Sequence, residues 1–147
     1  MPQFHSRFRV AAPVARVSAF HFSPEAFLRL TPPGMLLQLH LSEPLGEGSM
    51  TEFTLWSGPL PMRWKALHSE LSATGFTDEQ IAGPLRSWRH RHQFIPHPEG
   101  GSEVLDSIDY EHPPGWRGLL SRLRFNAATL QLLFFFRARA TRRACRE

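Results

Sequence analysis

The chain has 147 residues, of which 41% are hydrophobic and 20% are charged. This composition predicts one globular domain over residues 1–147 with a sizeable core, and it excludes a disordered chain. The formal net charge of +4 comes largely from arginines near the C-terminus, so the body is close to neutral and we expect no nucleic-acid partner. The single cysteine, Cys145, cannot form an internal disulfide, and the first residues lack a signal-peptide pattern, so we expect a cytoplasmic protein.

The first part of the chain predicts one strand and two short helices. Residues Gln3–Val10 alternate between largely apolar and polar side chains, which is typical of a half-buried strand. After Pro13 the apolar residues fall three apart, which predicts a helix over about residues 13–21. Ser23 is a good N-cap for a second helix over about residues 24–30, and the prolines that follow end it.

Six further segments have the character of strands and are bounded by Gly, Pro, Glu or Ser. Short turns join them, so they must run antiparallel, because a parallel pair needs a crossover of about a dozen residues or more. Residues 118–143 contain no proline and no glycine after the first position, which predicts one long helix. The predicted fold class is therefore α+β. The six strands cover residues 35–42, 49–56, 62–71, 76–82, 86–95 and 102–111.

The strand at residues 86–95 has two very different faces. One face carries two arginines, which must remain in water, because burying an unpaired guanidinium costs far more than burying an imidazole that has a partner. The opposite face therefore points inward, and its mixture of aromatic rings and imidazoles suits a pocket better than a plain core. The inward residues are Trp88, His90, His92 and Phe94.

The turns on either side of this strand permit pairings that bring carboxylates to both histidines. In the strand over residues 102–111 the even positions hold most of the bulky side chains, so we expect them to face inward. Directly opposite residues have Cβ atoms about 5 Å apart, so His92 would lie beside Asp106 and His90 beside Asp78. The other predicted pairs are Phe94 with Val104, His90 with Ile108, Trp88 with Tyr110, Gln80 with Trp88, and Phe76 with His92.

Several short phrases are spread over essentially the whole chain. They are Phe8-Arg9-Val10-Ala11-Ala12-Pro13, Phe20-His21, Leu30-Thr31-Pro32-Pro33, Gly58-Pro59, Arg63-Trp64, Gly75-Phe76-Thr77-Asp78-Glu79-Gln80, Gly83-Pro84 and Trp88-Arg89-His90-Arg91-His92-Gln93-Phe94. In these phrases and in the order of its elements, the sequence resembles the SRPBCC ligand-binding proteins of the START/Bet v 1-like superfamily, which includes polyketide cyclases. The resemblance implies a helix-grip fold: a seven-stranded antiparallel sheet curled around a long C-terminal helix, with two short helices between strands 1 and 2. It also implies a cavity for an apolar small molecule, and it implies no reaction.

Four interpretations of His90, His92, Asp78 and Asp106 remain open. The one given most weight is a satisfied polar patch within the sheet. The second is orientation of the polar end of an otherwise apolar ligand. In the third, a histidine acts as general base in a cyclisation or dehydration, with an aspartate holding its tautomer. Metal binding with His68 as a third ligand has the least weight, because it depends on several strand registers at once.

The predicted long helix has two apolar stripes. One stripe, expected to close the cavity, gathers on one side at a 100° step. A second stripe, formed by Phe125, Leu132 and Phe136, lies on the far side, and we expect it to form a homodimer contact rather than a membrane association. The first stripe consists of Leu119, Leu123, Ala127, Leu130, Leu133 and Phe134.

The sequence thus predicts that the chain binds a small, largely apolar molecule between sheet and helix, without turnover. The alternative is an enzyme resembling a polyketide cyclase or dehydratase, with His90, His92, Asp78 and Asp106 as the candidate catalytic residues. No nucleotide-binding motif is present, so we expect no cofactor, and we assign no metal. The predicted ligand-binding residues are Trp64, His68, Phe76, Asp78, Gln80, Trp88, His90, His92, Phe94, Asp106, Ile108, Tyr110, Leu123, Ala127 and Leu130.

Overall fold

The computed structural model describes residues 2–146, and its main element is one seven-stranded antiparallel sheet. The strands are β1 (Gln3–Val10), β2 (Met35–Ser42), β3 (Met50–Ser57), β4 (Leu60–Ser72), β5 (Gly75–Ala82), β6 (Ser87–Pro96) and β7 (Ser102–Glu111). They lie in the order β1-β7-β6-β5-β4-β3-β2, so β1 and β2 form the two edges. This arrangement confirms the predicted α+β, helix-grip class.

Four helices accompany the sheet in the described part of the chain. Two of them, α1 (Val14–Phe22) and α2 (Ala26–Arg29), connect β1 to β2, and α2 is shorter than the predicted helix over residues 24–30. The other two, α3 (Trp116–Arg124) and α4 (Ala127–Ala144), follow β7. The prediction of one unbroken helix over residues 118–143 is therefore wrong.

The break between α3 and α4 has a local cause. Phe125 adopts an extended backbone, with φ −123° and ψ 93°. Asn126 then caps α4: its side-chain oxygen accepts from the Thr129 backbone N–H at 3.0 Å, while the Thr129 hydroxyl accepts from the Asn126 N–H at 3.0 Å. This reciprocal capping box satisfies two backbone donors at the start of a new helix. It therefore stabilises the interruption.

Strand β6 pairs with both neighbours in the predicted registers. His90 lies opposite Asp78 and Ile108, and His92 lies opposite Phe76 and Asp106. The outward-facing arginines of β6 are exposed, as predicted, and form ion pairs with glutamates on the same face of the sheet. One predicted pair is absent, because the described β5–β6 ladder ends at Glu79 and Arg89, so Gln80 does not pair with Trp88.

The core consists of two apolar clusters that meet along β6. Phe94 belongs to the cluster at the α1 end, together with Val17 and Val104. Trp88 belongs to the other cluster, together with Trp64 and Phe125. His90 and His92 lie between Trp88 and Phe94 on the same buried face of β6. The two histidines therefore occupy a polar layer between two apolar ones.

The predicted dimer stripe is not a continuous surface. Phe125 is buried in the core, with its ring centroid 5.9 Å from that of Trp64 and 5.8 Å from that of Trp88. Leu132 is exposed and Phe136 is half-buried. The extended backbone of Phe125 interrupts the helical periodicity before α4, so the single-helix projection that grouped these residues fails. Among the described residues, no helix is long and apolar enough to cross a membrane.

Candidate functional site

Strands β5, β6 and β7 bring two imidazoles and two carboxylates together in the sheet. We call Asp78, His90, His92 and Asp106 the His/Asp tetrad. His90 Nε2 lies 2.8 Å from Asp106 Oδ1, and His92 Nε2 lies 2.7 Å from Asp78 Oδ2. The two imidazole ring centroids are 3.7 Å apart. The shortest bonds therefore run diagonally, although the register places each histidine directly opposite the other aspartate.

The surroundings of the two histidines shift their pKa values in opposite directions. Burial alone would lower the pKa of His92, but the contacts with Asp106 and Asp78 outweigh it and raise this pKa to about 9. Burial and the neighbouring charge of His92 instead lower the pKa of His90, despite its bond to Asp106. His92 is thus charged at neutral pH, whereas His90 is neutral and its hydrogen bond requires the proton on Nε2.

Both carboxylates are ionised. Burial favours the neutral acid, but the hydrogen bond from His92 and the nearby His90 lower the pKa of Asp78 to about 2. The pKa of Asp106 is lowered in the same way, by hydrogen bonds and charges from both imidazoles that outweigh its burial. The tetrad therefore carries two negative charges and one positive charge at neutral pH, which leaves a buried net charge of −1.

Arg137 supplies a positive charge near the tetrad. Its guanidinium carbon lies 5.3 Å from the centroid of the Phe134 ring. Burial lowers the pKa of Arg137, while the carboxylates of Asp106 and Asp78 oppose this effect. Arg137 Nε and Thr141 Oγ1 are buried, and neither has a hydrogen-bond partner among the described residues. Because buried polar groups are normally partnered, these two donors mark a place where another molecule could bind.

A small cleft joins these donors to the tetrad. It contains about 20 Å³ of space, which is enough for roughly one water molecule. Its walls come from β1, α1, β6, β7 and α4, and combine apolar with polar side chains. The lining residues are Phe8, His21, Leu30, His92, Asp106, Phe134, Arg137 and Thr141. The space between sheet and α4 is thus mostly filled by side chains, and the remaining cleft is polar at the α4 end.

His21 adds a second imidazole to the lining of the cleft, beside that of His92. Its Nδ1 lies 2.9 Å from the Val17 carbonyl oxygen, and its ring centroid lies 6.5 Å from that of His92. Burial lowers the pKa of His21 to about 4, so the ring is neutral near pH 7. Since a carbonyl can only accept, Nδ1 carries the proton and Nε2 is an acceptor.

Three polar residues of this cleft, His21, Arg137 and Thr141, were absent from the predicted site. The sequence drew attention to His21 only as part of the Phe20-His21 phrase. Arg137 was one of several arginines near the C-terminus, and arginines on a surface helix normally face solvent. Arg137 and Thr141 follow Phe134 at three and seven positions, so they share its face of the helix. Extending the apolar stripe past Phe134 would have found both.

The predicted binding residues fall into four groups. The tetrad lies together as described, and only His92 and Asp106 line the cleft. His68 is half-buried, with Nδ1 3.2 Å from Ser49 Oγ, and the Gln80 amide exchanges hydrogen bonds with the Leu85 backbone. Leu123 and Ala127 are exposed, so their predicted place in the cavity wall is wrong; the break at Phe125 puts them on two separate helices, so one continuous helical projection does not apply to both. The remaining side chains are buried core: Trp64, Phe76, Trp88, Phe94, Ile108, Tyr110 and Leu130.

Asp78, His90 and His92 could also hold a divalent cation. One ligand atom from each lies within 4.8 Å of the others. An ion there would have to separate Asp78 Oδ2 from His92 Nε2, which are now joined by a 2.7 Å hydrogen bond. It would also have to displace the proton of a charged imidazole, because metal-ligating histidine is neutral. The donor set suits a metal, and its present geometry suits a hydrogen-bonded network better.

Comparisons with known proteins show the fold. No family model and no curated protein matches the sequence. Among solved structures, an aromatase/cyclase from Streptomyces sp. R1128 has a TM-score of 0.75 at 12% identity, over 99% of this chain and 93% of that one. Norcoclaurine synthase from Thalictrum flavum, in complex with dopamine and hydroxybenzaldehyde, has a TM-score of 0.70 at 15% identity, over 94% and 84%. A protein from Chromobacterium violaceum has a TM-score of 0.76 at 11% identity, over 97% and 96%. The chain therefore shares the helix-grip fold of these structures.

Proposed function

We propose that the protein binds a small, largely apolar molecule between the sheet and α4, without turnover, and that a carbonyl or carboxylate oxygen of that molecule accepts hydrogen bonds from Arg137 and Thr141. The observation that carries this proposal is the pair of buried, unpartnered donors in the cleft. Leaving a buried donor unsatisfied costs about 1–3 kcal/mol. A ligand oxygen would remove that cost for both groups.

The charges around the cleft are also compatible with a ligand that places a carbonyl or carboxylate oxygen at Arg137 and Thr141. The ionised His/Asp tetrad has a net charge of −1, and Arg137 balances it. A neutral carbonyl leaves this balance unchanged, whereas a carboxylate adds one negative charge and favours protonation of the neutral His21 ring. The apolar walls, Phe8, Leu30 and Phe134, suit the body of the ligand. Pockets of this kind commonly combine apolar walls with a few fixed polar groups.

Binding requires that the cleft expand, because about 20 Å³ is smaller than any apolar organic ligand. Leu30 lies directly after α2, which has only four residues. Short elements with few buried contacts open at the lowest free-energy cost. We therefore expect α2 and Leu30 to move when a ligand enters.

Titration calorimetry with matched ten-carbon probes tests the proposal. We expect decanoic acid or decanamide to bind, and the hydrocarbon decane to bind at least about tenfold more weakly, since one hydrogen bond to a charged donor is worth about 1.5–3 kcal/mol. Arg137→Met keeps the apolar stem and should abolish the preference for the oxygenated probes. Arg139→Met removes an exposed arginine from the same helix and should leave the preference intact. An unchanged preference in Arg137→Met would refute the assignment.

A second candidate is an enzyme similar in chemistry to the cyclases that share the fold. The observation that favours it is the contrast between charged His92, with its pKa of about 9, and neutral His21, with its pKa of about 4, in one cleft. Such a pair could supply a proton and accept one in a cyclisation or dehydration. If a substrate is found, His92→Gln and His21→Gln should bind it without turnover, and so should His90→Gln if the tetrad as a whole takes part. Unchanged turnover in the His92 and His21 variants would exclude this pair from catalysis.

A further inference from the structure

Helix α3 is buried on its small, polar side and exposed on its apolar side. Its buried residues are Gly118 and Ser121. Its large apolar side chains face solvent, with exposed fractions of 70% for Trp116, 66% for Leu119, 41% for Leu120 and 73% for Leu123. A surface helix normally shows the reverse pattern. The apolar face of α3 therefore needs a partner that the rest of the described chain does not supply.

Two contacts fix α3 in this orientation. A Cβ added at Gly118 would lie 2.1 Å from the Pro113 carbonyl oxygen, so the helix approaches the preceding turn as closely as only glycine allows. Ser121 Oγ lies 2.7 Å from His112 Nδ1. Both anchors are on the buried side. These two contacts hold the small, polar side of α3 against the rest of the chain, and they therefore keep its apolar face outward.

Cations flank the apolar face on both sides. At 100° per residue, Trp116, Leu119, Leu120 and Leu123 cover an arc of about 100°. Arg117 and Arg124 border one edge of this arc, and Arg122 borders the other. The sequence contains no acidic residue between His112 and Arg146, although this stretch holds eight arginines. An apolar stripe containing Trp and Leu with basic flanks is typical of helices that lie in the interface of a lipid bilayer.

We propose that α3 docks this protein onto an anionic lipid surface, with Trp116, Leu119, Leu120 and Leu123 inserted and the flanking arginines at the headgroups. Charge complementarity favours this occupant over a second copy of the chain. Two α3 helices facing each other would bring arginines together, and neither helix offers an acidic residue to pair with them. An anionic headgroup layer neutralises all three arginines at once. This inference departs from the expectation in the sequence analysis, which preferred a homodimer contact to a membrane association, and it does not depend on the proposed ligand.

Vesicle co-sedimentation of the full chain tests the proposal. We expect binding to vesicles that mix phosphatidylglycerol with phosphatidylcholine, and at least about tenfold weaker binding to phosphatidylcholine alone. Leu119→Ser with Leu123→Ser should reduce binding to the mixed vesicles by at least about tenfold. Leu132→Ser, an exposed leucine on α4, is the matched control and should bind as the parent does.

A fluorescence measurement on the same samples locates the contact. Insertion should shift the tryptophan emission of the parent to shorter wavelength on mixed vesicles, and Trp116→Phe should lose that shift while the other three tryptophans remain. Absence of parent binding to mixed vesicles would overturn the proposal, as would equal binding to both vesicle types or binding unaffected by the leucine double variant. A dimer in light scattering that the double variant abolishes, without vesicle binding, would assign the face to a second copy instead.

Discussion

Replacing His92 with glutamine is expected to remove most of the pH dependence of stability between about pH 6.5 and pH 9. The two carboxylates of the tetrad raise the pKa of His92 from 6.5 to about 9 in the folded chain. Below about pH 6.5 both folded and unfolded chains hold this proton, and the stabilising contribution is complete. As the pH rises toward 9, the unfolded chain loses the proton first, so the contribution declines and is lost above the folded pKa.

The size of the change in unfolding free energy follows from the rise in the pKa of His92. One pKa unit corresponds to about 1.4 kcal/mol, so the free energy of unfolding should fall by about 3 kcal/mol across this window. The window avoids the main effects of His90 and His21, whose lowered pKa values act mostly below about pH 6.5. Within it, His92 is therefore the principal titrating group of the site.

Urea unfolding followed by tryptophan fluorescence at several pH values measures this slope. We expect the difference in unfolding free energy between the parent and His92→Gln to be largest near pH 6.5 and to shrink by about 3 kcal/mol toward pH 9. His5→Gln, which changes an exposed histidine on β1, should keep the parental slope. If His92→Gln also keeps that slope, the assignment of the charged imidazole to His92 is wrong.

Three further changes probe the packing in thermal or urea unfolding. Asp106→Asn leaves a buried imidazolium with one partner and should cost about 3–5 kcal/mol, whereas Asp109→Asn on the opposite face of β7 should cost less than about 1 kcal/mol; equal losses would contradict the tetrad. Asn126→Ala removes the capping box and should cost about 1 kcal/mol, and no loss would mean that the cap does not hold the break. Phe125→Ala should cost about 3–5 kcal/mol, whereas Leu132→Ala should cost about 0.5 kcal/mol or less. A larger loss for Leu132→Ala than for Phe125→Ala would mean that Phe125 lies on the surface and not in the core.

The alternation of β6 was sufficient to predict its buried face, because its exposed arginines leave only one orientation for the strand. The turns on either side, together with the alternation of residues 102–111, then predicted both registers and the aspartates that lie nearby. The hydrogen bonds themselves could not be predicted, because ring rotation lets His90 and His92 reach the diagonal carboxylates instead of the opposite ones. The register determines which carboxylates lie near each imidazole, and the side-chain torsion angles determine which of them the imidazole bonds.

The C-terminal helices were predicted less well for a different reason. A sequence without Pro or Gly permits a helix and does not require it to be continuous. The capping box of Asn126 and Thr129 was visible as a spacing of three, and it would have indicated a new helix start. The outward apolar face of α3 could not be inferred, because an amphipathic pattern predicts burial of its apolar side unless contacts such as that of Gly118 override it.

Native mass spectrometry of the protein purified from its own host tests the central proposal most directly. The proposal predicts that the parent retains a small-molecule adduct, that Arg139→Met retains the same adduct, and that Arg137→Met loses it. All three proteins should show the same charge-state distribution, which reports that they are folded. An adduct that persists undiminished in Arg137→Met, or no adduct on the parent under conditions that preserve weak complexes, would contradict a ligand held by the buried donors of α4.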